Sequence, residues 1–301
     1  MKIIFMGTPD YATEILRQIL IEGIEVLAVF TNPDRPVGRK QILTPPSVKL
    51  FLQENGYKID IFQPKNLRDE DIIKKIKELN PDFIVVAAYG KILTKDILQI
   101  APCINLHASV LPKYRGASPI QSALLAGEKQ TGVTTMLMNE GLDTGDMLEF
   151  EYTTCEYKTS KELFDELARM AGRLIISTLK NFNTLKHIKQ DEGNASYCKK
   201  ITKQMGLVSF KNTTAEIYNK FRAFDPWPGI FLENGLKIID LKPSNKKGNC
   251  EEIIDITEKS FFVATHDFSV EIFSIQEPGK KAVKAIDFIN GKRLKVGSRI
   301  S

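Results

Sequence analysis

The chain has 301 residues, 43% of them hydrophobic, which excludes a disordered or fibrous protein and leaves material for two cored domains. Its formal net charge of +5 is uneven: residues 191–301 hold 18 Lys/Arg against 14 Asp/Glu, so the excess falls in the C-terminal part. The 4 cysteines (Cys103, Cys155, Cys198, Cys250) show no CxxC and no Cys/His pair at ligand spacing, so reduced thiols and no structural metal are expected.

Residues 1–20 place a short apolar run before Gly7 and then read as a helix with charges, with Asp10 expected as its N-cap. Neither a signal peptide nor a membrane span is predicted there, and a cytoplasmic protein is expected. Strands are predicted over residues 2–6, 24–30 and 59–62, helices over 47–55 and 69–79, and a strand buried on both faces over 83–88 (FIVVAA). A strand over 103–107, a helix near 117–126, strands over 133–138 and 147–153 and a helix over 160–179 follow. Repeated β-α-β order predicts an α/β, Rossmann-like doubly wound parallel sheet, with reactive groups at its carboxyl edge. This domain is expected to span residues 1–189, with a polar linker over 190–205. From 206 to 301 short β-like runs at 237–241, 261–264 and 269–275 predict a small OB-like β-barrel. The rigid turn 225–229 (DPWPG) holds the only Trp, Trp227, expected to be a packing anchor.

Several motifs are weak or missing. The fragment GTPD at residues 7–10 lacks the G-x-G-x-x-G spacing, and Pro9 removes an N–H that could face a pyrophosphate. Neither a Walker lysine motif nor a G-x-S-x-G elbow occurs. Residues 31–49 (TNPDRPVGRKQILTPPSVK) form a loop far longer than the usual connection of about 2 to 6 residues, and it carries Arg35, Arg39 and Lys40. Such a loop beside an active edge reads as functional, with plain disorder the alternative. Lys280, Lys281 and Lys284, with Lys292, Arg293, Lys295 and Arg299 against the single acid Asp287, form either a phosphate-backbone surface or a solvated face.

The richest stretch is residues 105–146. On a strand, Asn105 and His107 leave the same face and reach one substrate atom together. An amide N–H holds a developing oxyanion while an imidazole moves protons near neutral pH, the chemistry of acyl transfer. Only 3 His occur, and His107 is the one at a predicted strand end; an N-x-H pair alone also fits simple turn chemistry. Asp143 and Asp146 are both candidates to stabilise the imidazole.

INLHASVLPKYRGASPIQ and GVTTMLMNEGLDTGDML, together with FMGTPDYA, TNPDRPVGR, VVAAYGKIL and RAFDPWPG in the same order, make the chain resemble the methionyl-tRNA formyltransferase family over essentially its whole length. The resemblance implies the formyltransferase fold and transfer of formyl from 10-formyltetrahydrofolate to the α-amino group of initiator methionyl-tRNA, by a monomer without a metal. It implies a catalytic trio at Asn105, His107 and Asp143, selecting Asp143 over Asp146, and folate contacts at Ser109, Val110, Leu111 and Pro112. It implies tRNA contacts at Arg35, Arg39 and Lys40 and through the C-terminal basic surface of Lys280, Lys281 and Lys284. Val110 stands where the family usually has Leu, and Gln41 and Ile42 where further positive charge is common. Two other readings stay open: a formyltransferase acting on a sugar amine or a glycinamide nucleotide, and a non-catalytic nucleic-acid-binding protein.

Overall fold

The computed structural model describes residues 1–38 and 40–300. They divide into two compact units, one of Met1–Pro119, Gln130–Thr154 and Phe164–Cys198, the other of Ile120–Lys129, Cys155–Leu163 and Lys199–Ser301. The elements follow in chain order: β1 (Lys2–Gly7), α1 (Asp10–Ile21), β2 (Glu25–Phe30), β3 (Arg35–Val37), β4 (Ile42–Thr44), α2 (Ser47–Glu54), β5 (Asp60–Phe62), α3 (Glu70–Leu79), β6 (Phe83–Ala87), α4 (Lys95–Leu98), β7 (Cys103–His107), β8 (Arg115–Gly116), α5 (Pro119–Leu125), β9 (Gln130–Leu137), β10 (Met147–Thr154), α6 (Ser160–Asn181) and β11 (Tyr197–Cys198). After them come α7 (Thr214–Ala223), β12 (Ile230–Phe231), β13 (Lys237–Ser244), β14 (Ile253–Ile256), β15 (Phe261–Ala264), β16 (Ser269–Gln276), β17 (Val283–Lys284) and α8 (Ala285–Lys292).

The first unit is built on a seven-stranded sheet in the order β10-β9-β7-β6-β1-β2-β5. From β5 to β7 every pairing is parallel, the Rossmann-like arrangement that the β-α-β order predicts. Ile4, Met6, Phe30, Ile84, Val86 and Cys103 form one face and bury against Ile76 of α3 and Ile97 of α4. Ile3, Phe5, Val29 and Val85 alternate with them and are fully buried on the other face. There Gly7 closes β1 so tightly against α1 that a Cβ on it would meet Ala12 and Phe5.

The sheet departs from the all-parallel expectation at one side, where β9 pairs antiparallel with both β7 and β10. A connection of only nine residues cannot make the crossover that a parallel pair requires, so β9 and β10 are antiparallel. Leu137 at the end of β9 therefore sits beside Ile104, at the start of β7 and not at its carboxyl end.

Several local expectations change. Pro9 occupies the cap position of α1 and Asp10 is its first helical residue, so Asp10 acts on the helix N-terminus by charge and not as a cap. Residues 31–49 contain the hairpin of β3 and β4. Its base is tied down by Lys49, whose Nζ lies 2.9 Å from Asp34, and by Gln63, which donates to the Asn32 carbonyl at 2.7 Å. The Gln63 amide and then Lys49 hold the Asp34 carboxyl below its ordinary range. Arg39 lies outside the described residues.

The second unit carries an antiparallel sheet in the order β12-β13-β16-β15-β14, with β17 paired to β16. Ile238, Leu241, Phe261, Val263, Val270, Ile272 and Ile275 line its buried side. Beyond the predicted strands it contains the helices α7 and α8; Thr213 and Glu216 close a capping box at the start of α7. Trp227 is not a packing anchor: it is 57% exposed in its proline-flanked turn.

Asp267 gives α7 a second anchor. Its Oδ1 accepts from the Thr214 N–H at 2.8 Å, the Thr214 hydroxyl at 3.0 Å and the Phe268 N–H at 2.9 Å. Led by the Thr214 N–H, these bonds hold its carboxyl down at about 2, against 3.8 for a free aspartate. A depressed folded value gives stability that is present above the unfolded value and lost as pH falls through the folded one. Asp267→Asn is expected to lower the urea midpoint at neutral pH, and its gap from wild type to narrow as pH falls from about 4 towards about 2. A gap that stays constant with pH would contradict the assignment.

Candidate active site

Asn105 and His107 project from β7 on the face that also carries Cys103 and the α3/α4 core. Because β9 ends beside the start of β7, the loop over residues 138–146 has to fold back along that face to bring its carboxylate to them. It does so: Asp143 Oδ2 lies 3.7 Å from His107 Nδ1, and Asp143 Oδ1 lies 3.5 Å from Asn105 Nδ2. The three side chains expected to act together are thus brought together. Asp146 is not part of the group; it pairs with Lys189 at 2.9 Å.

His107 is buried, 5% exposed, and acceptors face both of its ring nitrogens. Nε2 lies 2.8 Å from the Tyr114 carbonyl oxygen. A carbonyl only accepts, so Nε2 carries the hydrogen, and in the neutral ring Nδ1 is the bare nitrogen. Tyr114 therefore sets the tautomer. The carboxylate beside Nδ1 is instead placed to stabilise the ring once that nitrogen takes a proton.

Asp143 adopts φ 52°, in the left-handed region that non-glycine residues seldom occupy without support. The Gly116 N–H donates to its Oδ2 at 2.8 Å. Gln190 Nε2 donates to the backbone carbonyls of Asp143 and Gly145, each at 2.8 Å. Residues 190–198, expected to lie in a linker, are fastened to the first unit. Arg115 is fully buried and reaches Gln190 Oε1 at 2.9 Å, Glu192 at 2.7 Å and the Tyr197 hydroxyl at 2.9 Å. The Arg115 partnership holds the Glu192 carboxyl low, and Glu192 holds the guanidinium charged. The Tyr114 N–H donates to Ser196 Oγ at 2.8 Å, and β11 pairs with β8. Tyr114, Arg115, Gly116, Gln190, Glu192 and Ser196 were not singled out from sequence. The contacts that Tyr114 and Gly116 make to His107, Ser196 and Asp143 come from main-chain groups, which leave no side-chain signature.

The expected folate segment follows His107 directly. Ser109 is fully buried, its hydroxyl donating to the Lys113 carbonyl at 2.6 Å, while Thr134 Oγ1 donates to the Ser109 carbonyl at 2.7 Å and accepts from the Leu111 N–H at 3.1 Å. Ser109 and Leu111 thus hold the turn, and Val110 and Pro112 are its half-exposed members. Val110 lies over Gly132, where a Cβ would come within 3.0 Å of Val110 Cγ2, so the β-branched side chain packs on bare backbone.

The expected tRNA residues lie apart from this group in the chain. Arg35 and Lys40 are exposed on the β3–β4 hairpin, which also exposes Val37, Ile42 and Leu43. Lys280, Lys281 and Lys284 are exposed before and at the start of α8, with Lys280 Nζ 2.7 Å from Glu277. Among the described residues, no group of three His, Cys, Asp or Glu is placed to hold a metal ion, and no helix is long and apolar enough to cross a membrane.

Comparisons with known proteins agree with one another. A family model described as formyl transferase matches residues 1–179, and one described as formyl transferase, C-terminal domain, matches residues 200–293. The sequence is 56% identical to the methionyl-tRNA formyltransferase of Campylobacter curvus over 301 residues, 100% of both chains. The fold is similar to that of the methionyl-tRNA formyltransferase from Clostridium thermocellum, with a TM-score of 0.56 and 22% identity over 82% of this chain and 95% of that one. It is also similar to HypX from Aquifex aeolicus in complex with tetrahydrofolic acid, with a TM-score of 0.64 and 16% identity over 96% of this chain and 47% of that one.

Gly116, at φ 115°, has no room for a side chain, because a Cβ would run into the Cys198 carbonyl. Gly116→Ala is expected to lower stability by about 1 to 3 kcal/mol in urea unfolding and to displace the N–H that holds Asp143. An unchanged midpoint would show that this close approach is not maintained.

Proposed function

Because the chain belongs to the methionyl-tRNA formyltransferase family, we propose that the group around His107 is where it formylates the α-amino group of methionyl initiator tRNA, with 10-formyltetrahydrofolate as donor. The observation that supports this reading most is the placement of His107 between the Tyr114 carbonyl and the Asp143 carboxylate, with Asn105 beside the same carboxylate. A formylation site on a sugar amine or a glycinamide nucleotide is disfavoured by full-length identity to a methionyl-tRNA enzyme.

The roles follow from the chemistry of the step. The attacking amine is neutral and loses a proton as its bond to the formyl carbon forms. The departing folate nitrogen gains one as its own bond to that carbon breaks. Nε2 of His107 is committed to Tyr114, so the proton is received at Nδ1, where the Asp143 carboxylate offsets the imidazolium charge. Asn105 has two amide hydrogens, one directed at Asp143; the other serves the formyl oxygen as charge develops there, an interaction worth about 3 to 4 kcal/mol in comparable sites. The turn of Ser109, Val110, Leu111 and Pro112 is assigned to the folate, through its backbone and the half-exposed Val110 and Pro112. Residues 1–189 are assigned to catalysis and 206–301 to tRNA contact, with Arg35, Arg39 and Lys40 as a second contact. The enzyme is assigned to translation initiation in the cytoplasm and acts as a monomer.

Purified protein is expected to move formyl from 10-formyltetrahydrofolate to charged initiator tRNA and not to sugar or glycinamide amines; the reverse preference would overturn the reading. His107→Ala and Asp143→Ala are each expected to cut turnover by about 10²- to 10⁴-fold with unfolding midpoints close to wild type. Full activity in either variant would remove these residues from the mechanism. Neutralising Lys280, Lys281 and Lys284 together is expected to raise KM for tRNA and to lower the slope of log affinity against log salt by about 0.7 to 0.9 for each phosphate no longer neutralised. An unchanged slope would return this surface to a solvated face.

A further inference from the structure

We infer that Gln190 is a positioning residue for formyl transfer, setting the backbone of Asp143 from the buried guanidinium of Arg115. This rests on the proposed role of Asp143. Gln190 lies 47 residues along the chain from Asp143, yet its side-chain amide ties the Arg115 side chain to the backbone of the Asp143 loop, where the Gly116 N–H already holds the Asp143 carboxylate. One end accepts from Arg115 Nε at 2.9 Å, and the other donates to the carbonyls of Asp143 and Gly145 at 2.8 Å each.

The orientation of the amide is forced. Arg115 offers only donors, so Oε1 has to face it, and both carbonyls are acceptors, so Nε2 has to face them. With the amide turned over, every one of the three contacts would be repulsive. Arg115 is itself fixed from several sides by Glu192, Tyr197 and the fully buried setting of its side chain, which makes it a rigid post and not a mobile surface group.

What needs positioning is the backbone at residues 143–145. Asp143 sits at φ 52°, and its loop begins at the far end of β7 and has to return along the sheet face to reach His107. Lys189 and Ile188, which precede Gln190, bind Asp146 and Met147 at the end of the same loop, the latter through paired backbone bonds of 2.9 Å. Those contacts fix where the loop ends. Gln190 alone among these side chains grips the two carbonyls that flank the turn after Asp143, and so governs where the carboxylate stands relative to His107 Nδ1.

Gln190→Glu isolates this function, because a carboxylate keeps a partner for Arg115 but places an acceptor against two carbonyls. A misplacement of about 1 Å costs on the order of 10²-fold in rate, so kcat is expected to fall by about 10- to 100-fold. KM for the folate and for the tRNA should stay within about threefold, and the unfolding midpoint near wild type, if the damage is confined to the carboxylate's position. The decisive readout is the double variant. If Gln190 acts through Asp143, Gln190→Glu should cost little further kcat in an Asp143→Ala background, whereas a general structural role would reduce it by the same factor in both backgrounds. Gln190→Ala serves as a second variant without the added charge and should show the same non-additivity. Equal factors in the two backgrounds, or full activity of both Gln190 variants, would overturn the inference. Full activity of Asp143→Ala itself would instead overturn the reading on which it rests.

Discussion

The candidate site depends on holding one aspartate in a backbone conformation that its own chain does not favour. Asp143 has a left-handed φ, and its loop leaves β9 at the wrong end of β7 for a carboxylate that has to stand beside His107. The antiparallel pairing of β9 with β7 creates this problem, since a parallel strand would have delivered its following loop to the carboxyl end of β7 directly. Groups outside the loop solve it, with the Gly116 N–H, the Gln190 amide and the Ile188–Met147 pairing each fixing one part of the return path. Two of these groups belong to the surroundings of Arg115: Gln190 accepts from its Nε, and Gly116 follows it in the chain.

The same segment governs the imidazole. Tyr114 and Gly116 flank Arg115, so one short stretch supplies both the carbonyl that binds His107 Nε2 and the N–H that binds Asp143 Oδ2. The site is therefore set by main-chain groups whose positions are fixed by a buried charged side chain. A guanidinium at this depth is tolerable only because acceptors meet it on several sides. Removing them would leave a buried donor unsatisfied, and the cost would appear first in the turn that carries Tyr114 and Gly116.

Much of this was legible in the sequence, and the parts that were not have physical reasons. The parallel half of the sheet follows from β-α-β order, and the shared face of Asn105 and His107 follows from the period of two in a strand. Asp143 against Asp146 was separable only by family resemblance, because both follow β9 at a similar distance; in the folded chain the Lys189 pairing removes Asp146. Residues 190–198 read as a linker because their polarity is what a solvated segment shows; most of them are indeed exposed, yet Gln190, Glu192 and Tyr197 also bond Arg115. Tyr114 acts through its carbonyl, which every residue has. In the second unit neither helix was expected: α7 starts at the Thr213–Glu216 capping box, and α8 lies among basic residues that read as a charged surface. The size of Trp227 suggests burial, but its flanking prolines hold it in a turn where it is largely exposed.

Two surfaces lie apart from this chemistry in sequence: the β3–β4 hairpin, with exposed Arg35 and Lys40 beside exposed Val37, Ile42 and Leu43, and the lysines leading into α8. These are the surfaces proposed to meet the phosphate backbone of the acceptor. The central claim, that the Tyr114 carbonyl commits Nε2 and leaves Nδ1 to exchange the proton beside Asp143, is tested most directly by nitrogen-15 NMR of the His107 imidazole in the full-length protein. The neutral ring is expected to carry its hydrogen on Nε2, with Nδ1 bare. A neutral ring protonated on Nδ1 would contradict it.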